Sequence, residues 1–163
     1  MSVRLGSSVR ATGGPVPAQA PLPDRRWQQI WFAAMQRPWS SMALVPSHPG
    51  TSALFVAEAL AGVGRLHGNR PVKLIDAEKT ELPEVTDLGQ SLAAIVDRLE
   101  LAVVATDCPL SRPASIAIAR MADAAVLVIP LGEARFSEAR RAMDLVGRDR
   151  FIGAVTLELR GPA

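Results

Sequence analysis

Five short apolar runs recur along the chain, at residues 42–46, 72–76, 101–106, 124–129 and 151–157. They are too short for helices and do not alternate with polar residues, so they predict strands covered on both faces. Between them, apolar residues return at spacings of three and four. This predicts helices over 52–67, 88–99, 111–121 and 137–147. Cap signals agree: Asp87 stands at an N-cap, Ser111 and Pro113 at N-cap and early-helix places, and Gly68 and Gly147 at helix ends. Strands alternating with helices predict an α/β domain with a five-stranded parallel sheet between helical layers.

One more helix is expected ahead of the first strand. Asp24 is a plausible N-cap, Pro38 a stop after Arg37, and Trp27, Ile30, Trp31, Ala34 and Met35 form one apolar stripe about 100° wide. Such a stripe packs on its own domain or docks a neighbouring subunit or another protein, as aromatic anchors do. Residues 1–23 are rich in Gly, Ser, Pro and Ala without periodicity, which predicts a flexible tail followed by a single domain over 24–163.

Composition narrows the chemistry. The 163 residues are 48% hydrophobic, enough for one buried core, yet no apolar run approaches membrane-spanning length and the N-terminus lacks the apolar stretch of a signal peptide. A cytoplasmic protein is therefore expected. Cys108 is the single cysteine, and His48 and His67 are the only histidines, so neither a disulfide nor a cysteine or histidine metal cluster is expected. His67 reads as a favourable charge at a helix C-terminus. Net charge is +2, but residues 1–40 carry five arginines against Asp24, so the basic character lies at the N-terminal end. That arm suits either solvent or an acidic membrane surface; nucleic acid is not the expected partner.

The central unit is MALVPSHPGTSALFVAEALA, residues 42–61: strand, Pro/Gly loop, helix. In such a unit the loop N–H groups and the helix N-terminus share one space, where α/β proteins hold phosphate. A working loop reads G-x-x-x-x-G-K-[ST], with the lysine on the phosphates and the hydroxyl on Mg²⁺. Here Ser47 and Ser52 stand at the glycines, Ala53 at the lysine and Leu54 at the hydroxyl. His48, Pro49, Gly50, Thr51 and Ser52 remain as the vestige of a nucleotide loop. Asp76 and Asp107 each end an apolar strand and so meet at the sheet's carboxyl edge beside that loop. They serve there either as metal- and water-placing acids or as loop anchors. Cys108, next to Asp107, is a packing residue or a nucleophile whose pKa the carboxylate would raise.

The chain resembles the MinD/ParA group of deviant-Walker P-loop ATPases, and most closely the cytoplasmic domain of bacterial tyrosine kinases of capsule and exopolysaccharide export. Residues 46–61 align without a gap to the family's S-A-E-P-G-E-G-K-S-T-V-A-A-N-L-A, matching at Pro49, Gly50, Val56, Ala57, Leu60 and Ala61. VKLIDAE (72–78), LAVVATDCPL (101–110) and AIARMADAAVLVIPL (117–131) resemble the family's LLIDAD, VIIDTPP and LARLADGVLLVVR segments, in the same order.

The resemblance implies a P-loop NTPase-like fold in which the 101–106 strand lies beside the loop strand. In chain order of the five strands it gives the arrangement 2-3-1-4-5. It implies that the positions of Asp76 and Asp107 help place Mg²⁺ and water in active members, and that the helix ahead of the loop takes part in subunit contacts; this helix departs from the family's EAFR pattern, so no residue is carried across, and Trp27, Ile30, Trp31 and Met35 are interaction candidates from their stripe alone. With the lysine and hydroxyl replaced, and with no tyrosine to phosphorylate, the expectation is a pseudo-ATPase without nucleotide or Mg²⁺ as cofactor. Its expected role is as a scaffold or regulator of polysaccharide synthesis or export, peripheral to the inner membrane. A MinD/ParA-like positioning protein with a degenerate site, or a weak nucleotide-binding ATPase, is the alternative.

Overall fold

Alternate residues of each central strand feed two different apolar cores, one on each side of the sheet. Met42 and Leu44 enter one and Ala43 and Val45 the other; Leu101, Val103 and Ala105 divide in the same way from Ala102 and Val104. This two-sided burial is why the strands read as apolar runs. The computed structural model describes residues 2–6 and 24–158. In chain order the elements are β1 (Ser2–Gly6), α1 (Arg25–Ala34), β2 (Ser41–Pro46), α2 (Leu54–His67), β3 (Val72–Asp76), α3 (Val85–Asp97), β4 (Leu101–Ala105), α4 (Pro113–Met121), β5 (Ala124–Leu131), α5 (Phe136–Val146) and β6 (Phe151–Glu158). All strand pairs are parallel, in the order β1-β6-β5-β2-β4-β3.

The five expected strands are present in the implied order, and β1 adds a sixth. Its pairing with β6, from Ser2 beside Ala154 to Gly6 beside Glu158, corrects the expected tail over 1–23 at its beginning. The outer backbone groups of β6 need partners, and β1 supplies them along Ala154–Glu158. Residues 7–23 lie outside the described residues.

Helices α1 and α2 cover one face of the sheet, and α3, α4 and α5 the other. α1 begins where Asp24 accepts a hydrogen bond from the Arg26 N–H at 2.9 Å, and it ends at Ala34, three residues before Arg37. Its stripe packs inward. Ile30 and Trp31 are 0% and 2% exposed, Trp27 meets Phe55 edge-on at 5.8 Å, and only Met35 turns outward. Trp31 lies so close over α2 that a Cβ at Gly64 would stand 2.4 Å from its ring. Trp39 closes the end of α1, crossing Trp31 at 83° and donating its indole N–H to the Ala34 carbonyl at 3.0 Å.

α3 starts at Val85 rather than 88, so Asp87 lies in the first turn and is not the cap. Pro83 and a reciprocal Glu81/Glu84 capping box start a 3₁₀ turn at Leu82–Glu84, which runs directly into the helix. Because β3 is the edge strand, Lys73 is exposed rather than facing a helical layer.

Candidate functional site

Every strand of the sheet points its carboxyl end the same way, and the loops that follow β2, β3, β4 and β5 meet at that edge. β2 ends at Pro46, and Ser47 continues its ladder by donating to the Val128 carbonyl at 2.9 Å. The chain turns at Gly50, whose φ of +83° is one that a side chain would resist, and α2 then begins at Leu54. Its first turn has no acidic residue and its own N-cap side chain, Ala53, cannot accept a hydrogen bond. The free N–H groups at this end therefore need an acceptor from elsewhere.

Glu78 supplies it. One oxygen of its carboxylate accepts from the Ser52 hydroxyl at 2.7 Å, the Ala53 N–H at 2.7 Å and the Leu54 N–H at 3.1 Å. A carboxylate against the positive end of a 14-residue helix is favourable through charge–dipole attraction and charge-assisted hydrogen bonding. It also fills the place where a P-loop holds phosphate. Asp76 sets this seat up from below by accepting from the Glu78 N–H at 3.1 Å, and the Ala77 N–H donates to Ala105 at 2.8 Å. The connection after β3 is thereby pinned to the neighbouring strand and its acid is aimed at α2.

The remaining expected site residues are engaged in the same internal way. Asp107 accepts from the Cys108 N–H at 2.7 Å and from Arg112 Nε at 3.1 Å, and the Arg112 guanidinium also pairs with Glu81. Asp107 and Glu81 hold Arg112 more firmly protonated than a free guanidinium. His48 reaches across to α5, its Nδ1 2.9 Å from Glu138 Oε2, and the same oxygen accepts from the Arg135 N–H at 3.2 Å. That ring holds the Glu138 carboxyl below the ordinary glutamate range.

Cys108 is completely buried, and burial first, then the Asp107 charge, push its thiol upward, so a thiolate nucleophile is disfavoured. Among the described residues no cluster of three His, Cys, Asp or Glu is arranged to hold a metal ion. Ser47 Oγ and Thr51 Oγ1 are buried in the loop with no hydrogen-bond partner among the described residues.

Asp76, Asp107 and the 48–52 loop all lie at the carboxyl edge of the sheet, Asp76 linked to the loop through Glu78 and Asp107 turned to Arg112. Ile30 and Trp31 do not reach any surface, which corrects their reading as docking residues: their side chains are already filled in against α2 and the sheet. Glu78, Glu81, Arg112 and Glu138 are site residues that the sequence reading missed. The available signal was in VKLIDAE itself, where an acid follows Asp76 by two residues in a chain with alanine rather than lysine at position 53. The residues do not fit a Mg-bound triphosphate. The Ala53 and Leu54 N–H groups are taken by Glu78, and neither of those side chains supplies a positive charge to offset its carboxylate.

No protein-family model and no curated protein matches the chain. Solved structures do. The kinase domain of the Escherichia coli tyrosine kinase ETK is 17% identical with a TM-score of 0.65, over 85% of this chain and 76% of that one. The chimerical protein CapA2B2 is 10% identical with a TM-score of 0.65, over 88% and 87%. The BceF tyrosine kinase domain is 15% identical with a TM-score of 0.61, over 83% and 75%. At these identities the likeness is one of fold: the chain shares the α/β architecture of bacterial tyrosine kinase domains. No helix among the described residues is long and apolar enough to cross a membrane.

Proposed function

We propose that this domain is a catalytically inactive P-loop-like protein, a pseudo-ATPase that serves as a scaffold or regulatory subunit in bacterial polysaccharide synthesis or export. The observation that carries the reading is the Glu78 carboxylate on the Ser52 hydroxyl and the Ala53 and Leu54 N–H groups. An active loop uses such donors, with a lysine and a metal, to stabilise charge on the transferring phosphoryl group. In this chain the donors stabilise a carboxylate that is always present. The polysaccharide setting draws on the motif resemblance and on neighbours that are themselves tyrosine kinase domains. By the same resemblance the domain works in the cytoplasm against the inner membrane, with a protein partner or a second subunit.

A second reading, retained weak nucleotide binding, is favoured by one observation: the orphaned Ser47 and Thr51 hydroxyls inside the loop, since buried hydroxyls normally find partners. Calorimetric titration of the purified protein with ATP and ADP, with and without Mg²⁺, separates the two. The pseudo-ATPase reading expects no heat up to millimolar nucleotide. Micromolar binding, or phosphate release from Mg-ATP that disappears in Asp107→Ala, overturns it.

A further inference from the structure

The helical layer formed by α1 and α2 makes up one whole side of the sandwich, and its outer surface is unlike the rest of the molecule. Of the eight large apolar side chains exposed among the described residues, four stand here: Phe32 at 53%, Met35 at 41%, Phe55 at 43% and Leu66 at 61%. Two ring pairs bridge the seam between the helices, Trp27 with Phe55 at 5.8 Å and Phe32 with His67 at 5.7 Å, so Phe32 and Phe55 lie along one seam, with Leu66 next to His67 in sequence and Met35 three residues past Phe32. Arginines border it: Arg25 at the start of α1 and Arg37 just past its end are exposed, and Arg65 on α2 is exposed too but tied through its Nε to the Val72 carbonyl at 3.1 Å. Residues 24–67 carry net +2 (four arginines against Asp24 and Glu58), whereas residues 68–158 carry net −3 (eleven basic against fourteen acidic).

We infer that this α1–α2 face docks on an anionic lipid bilayer. Phe32, Met35 and Leu66 would enter the interfacial zone while the arginines meet lipid headgroups, and the acidic remainder of the molecule would face away. Aromatic and aliphatic residues framed by arginine are the composition of membrane-surface helices, and each arginine near an anionic leaflet adds attraction that salt removes. A second copy of this chain fits the face less well, because pairing it with itself would bring the same arginines together. Nucleic acid fits less well too, because a phosphate backbone offers nothing to Leu66 and Met35. The inference extends the membrane-peripheral setting proposed above and is independent of whether the loop binds nucleotide.

The test is co-sedimentation of the full chain with vesicles of phosphatidylcholine alone and of phosphatidylcholine mixed with phosphatidylglycerol. Binding is expected only to the mixed vesicles at low salt, and its loss at 1 M salt, where screening acts within about 3 Å. Phe32→Ser with Leu66→Ser, and separately Arg25→Gln with Arg37→Gln, should each weaken partitioning by about tenfold or more. All four sites are exposed, and unchanged thermal melts would verify that the variants fold. Absence of wild-type binding to the mixed vesicles, or binding indifferent to both double variants, overturns the proposal. So does light scattering in which Phe32→Ser with Leu66→Ser only converts a dimer to a monomer, or retention of duplex DNA in preference to vesicles.

Discussion

The two edges of the sheet are held together by different interactions. At the amino edge, the contacts that join separate elements run mainly from side chain to backbone, and the ion pairs there, Arg98–Glu100 and Asp144–Arg148, join near neighbours in sequence. Asp123 accepts from the Ser40 and Ser41 N–H groups at 2.8 and 3.1 Å, Arg70 donates to the Leu99 and Glu100 carbonyls, and Arg150 donates to Ala122. At the carboxyl edge, charged side chains bind one another, as in Asp107–Arg112–Glu81 and His48–Glu138, and Glu78 closes the helix end facing the phosphate position. α2 connects the two, with its N-terminus on Glu78 and its other end under Trp31. The contrast suggests how such a loop can change without loss of the fold. Packing at one end of α2 holds the layers together, while at the other an internal carboxylate satisfies the donors that a ligand would otherwise meet.

If the amino end of the comparison is the mechanical one, its disruption should cost most. Gly64→Ala places a methyl group 2.4 Å from the Trp31 ring and 2.9 Å from Val72. Neither neighbour can retreat, because Trp31 is also packed on Trp39 and the core. The expected loss is about 3 kcal/mol, or a fall in Tm of roughly 6–12 °C for a domain of this size. Adding Trp31→Leu should recover part of it, as coupling in a double-mutant cycle. Thermal melts that show no change in Gly64→Ala would mean the α1–α2 seam is loosely packed and the contrast between the ends of α2 is wrong.

The carboxyl end should respond less in stability. Glu78→Ala leaves the Ala53 N–H without its acceptor and the Leu54 N–H with only the Ser52 hydroxyl at 3.2 Å, for a loss of about 1–2 kcal/mol, and Glu78→Gln, which keeps an acceptor but not the charge, about half of that. Urea unfolding measures both. An Ala variant as stable as wild type would show that water satisfies the helix end equally well, and Glu78 would lose its role as the loop's internal anion.

A third change should stabilise the molecule. Leu99, in the amino-edge connection before β4, has φ of +60° and is 73% exposed. That conformation strains a Cβ, and the side chain gains little by burial, so Leu99→Gly should raise stability by about 0.5–1 kcal/mol. Arg70 binds the Leu99 carbonyl, which any residue supplies, so this amino-edge contact survives the substitution. A lower Tm in Leu99→Gly would show that the backbone there is set by Leu99 itself.

The fold was legible because its signal is periodic. Both-sided burial makes apolar runs, and Gly, Pro and acidic caps separate them, so the strands from 42–46 onward and the positions of Asp76 and Asp107 at strand ends followed directly. β1 was hidden because SVRLG is five residues in a Gly- and Ser-rich stretch, and its partner strand begins near residue 151. The start of α3 was misplaced because Asp87 is a good cap in isolation, while the Glu81/Glu84 pair that begins the turn is reciprocal and visible only once folded. The site was only half legible for a similar reason. Residue identity showed that lysine and hydroxyl were missing, but Glu78 comes to Ala53 from 25 residues away, and Glu138 to His48 from 90. Local patterning carries no record of such pairs.

The smallest expected effect concerns the His48–Glu138 pair, and it is read through pH. The His48 ring, and then the Arg135 N–H, favour the charged form of Glu138, so its folded pKa lies below the ordinary carboxylate value. A depressed folded pKa means that the contribution is fully present above the unfolded value, near 4.3, and is lost as pH falls through the folded one. Wild type should therefore exceed Glu138→Gln in stability at neutral pH, and the gap should close as the pH falls past the unfolded value and through the lower folded one. Both side chains are 29% accessible, so salt should narrow the gap as well. His48→Ala should remove most of the pH dependence from the Glu138 comparison while leaving the Asp107–Arg112 pair untouched. Chemical denaturation of the three proteins across this range measures it. A gap that stays constant with pH would mean the pair only fills space between the loop and α5, and the carboxyl edge would then depend on ionic contacts at Glu78 and Arg112 alone.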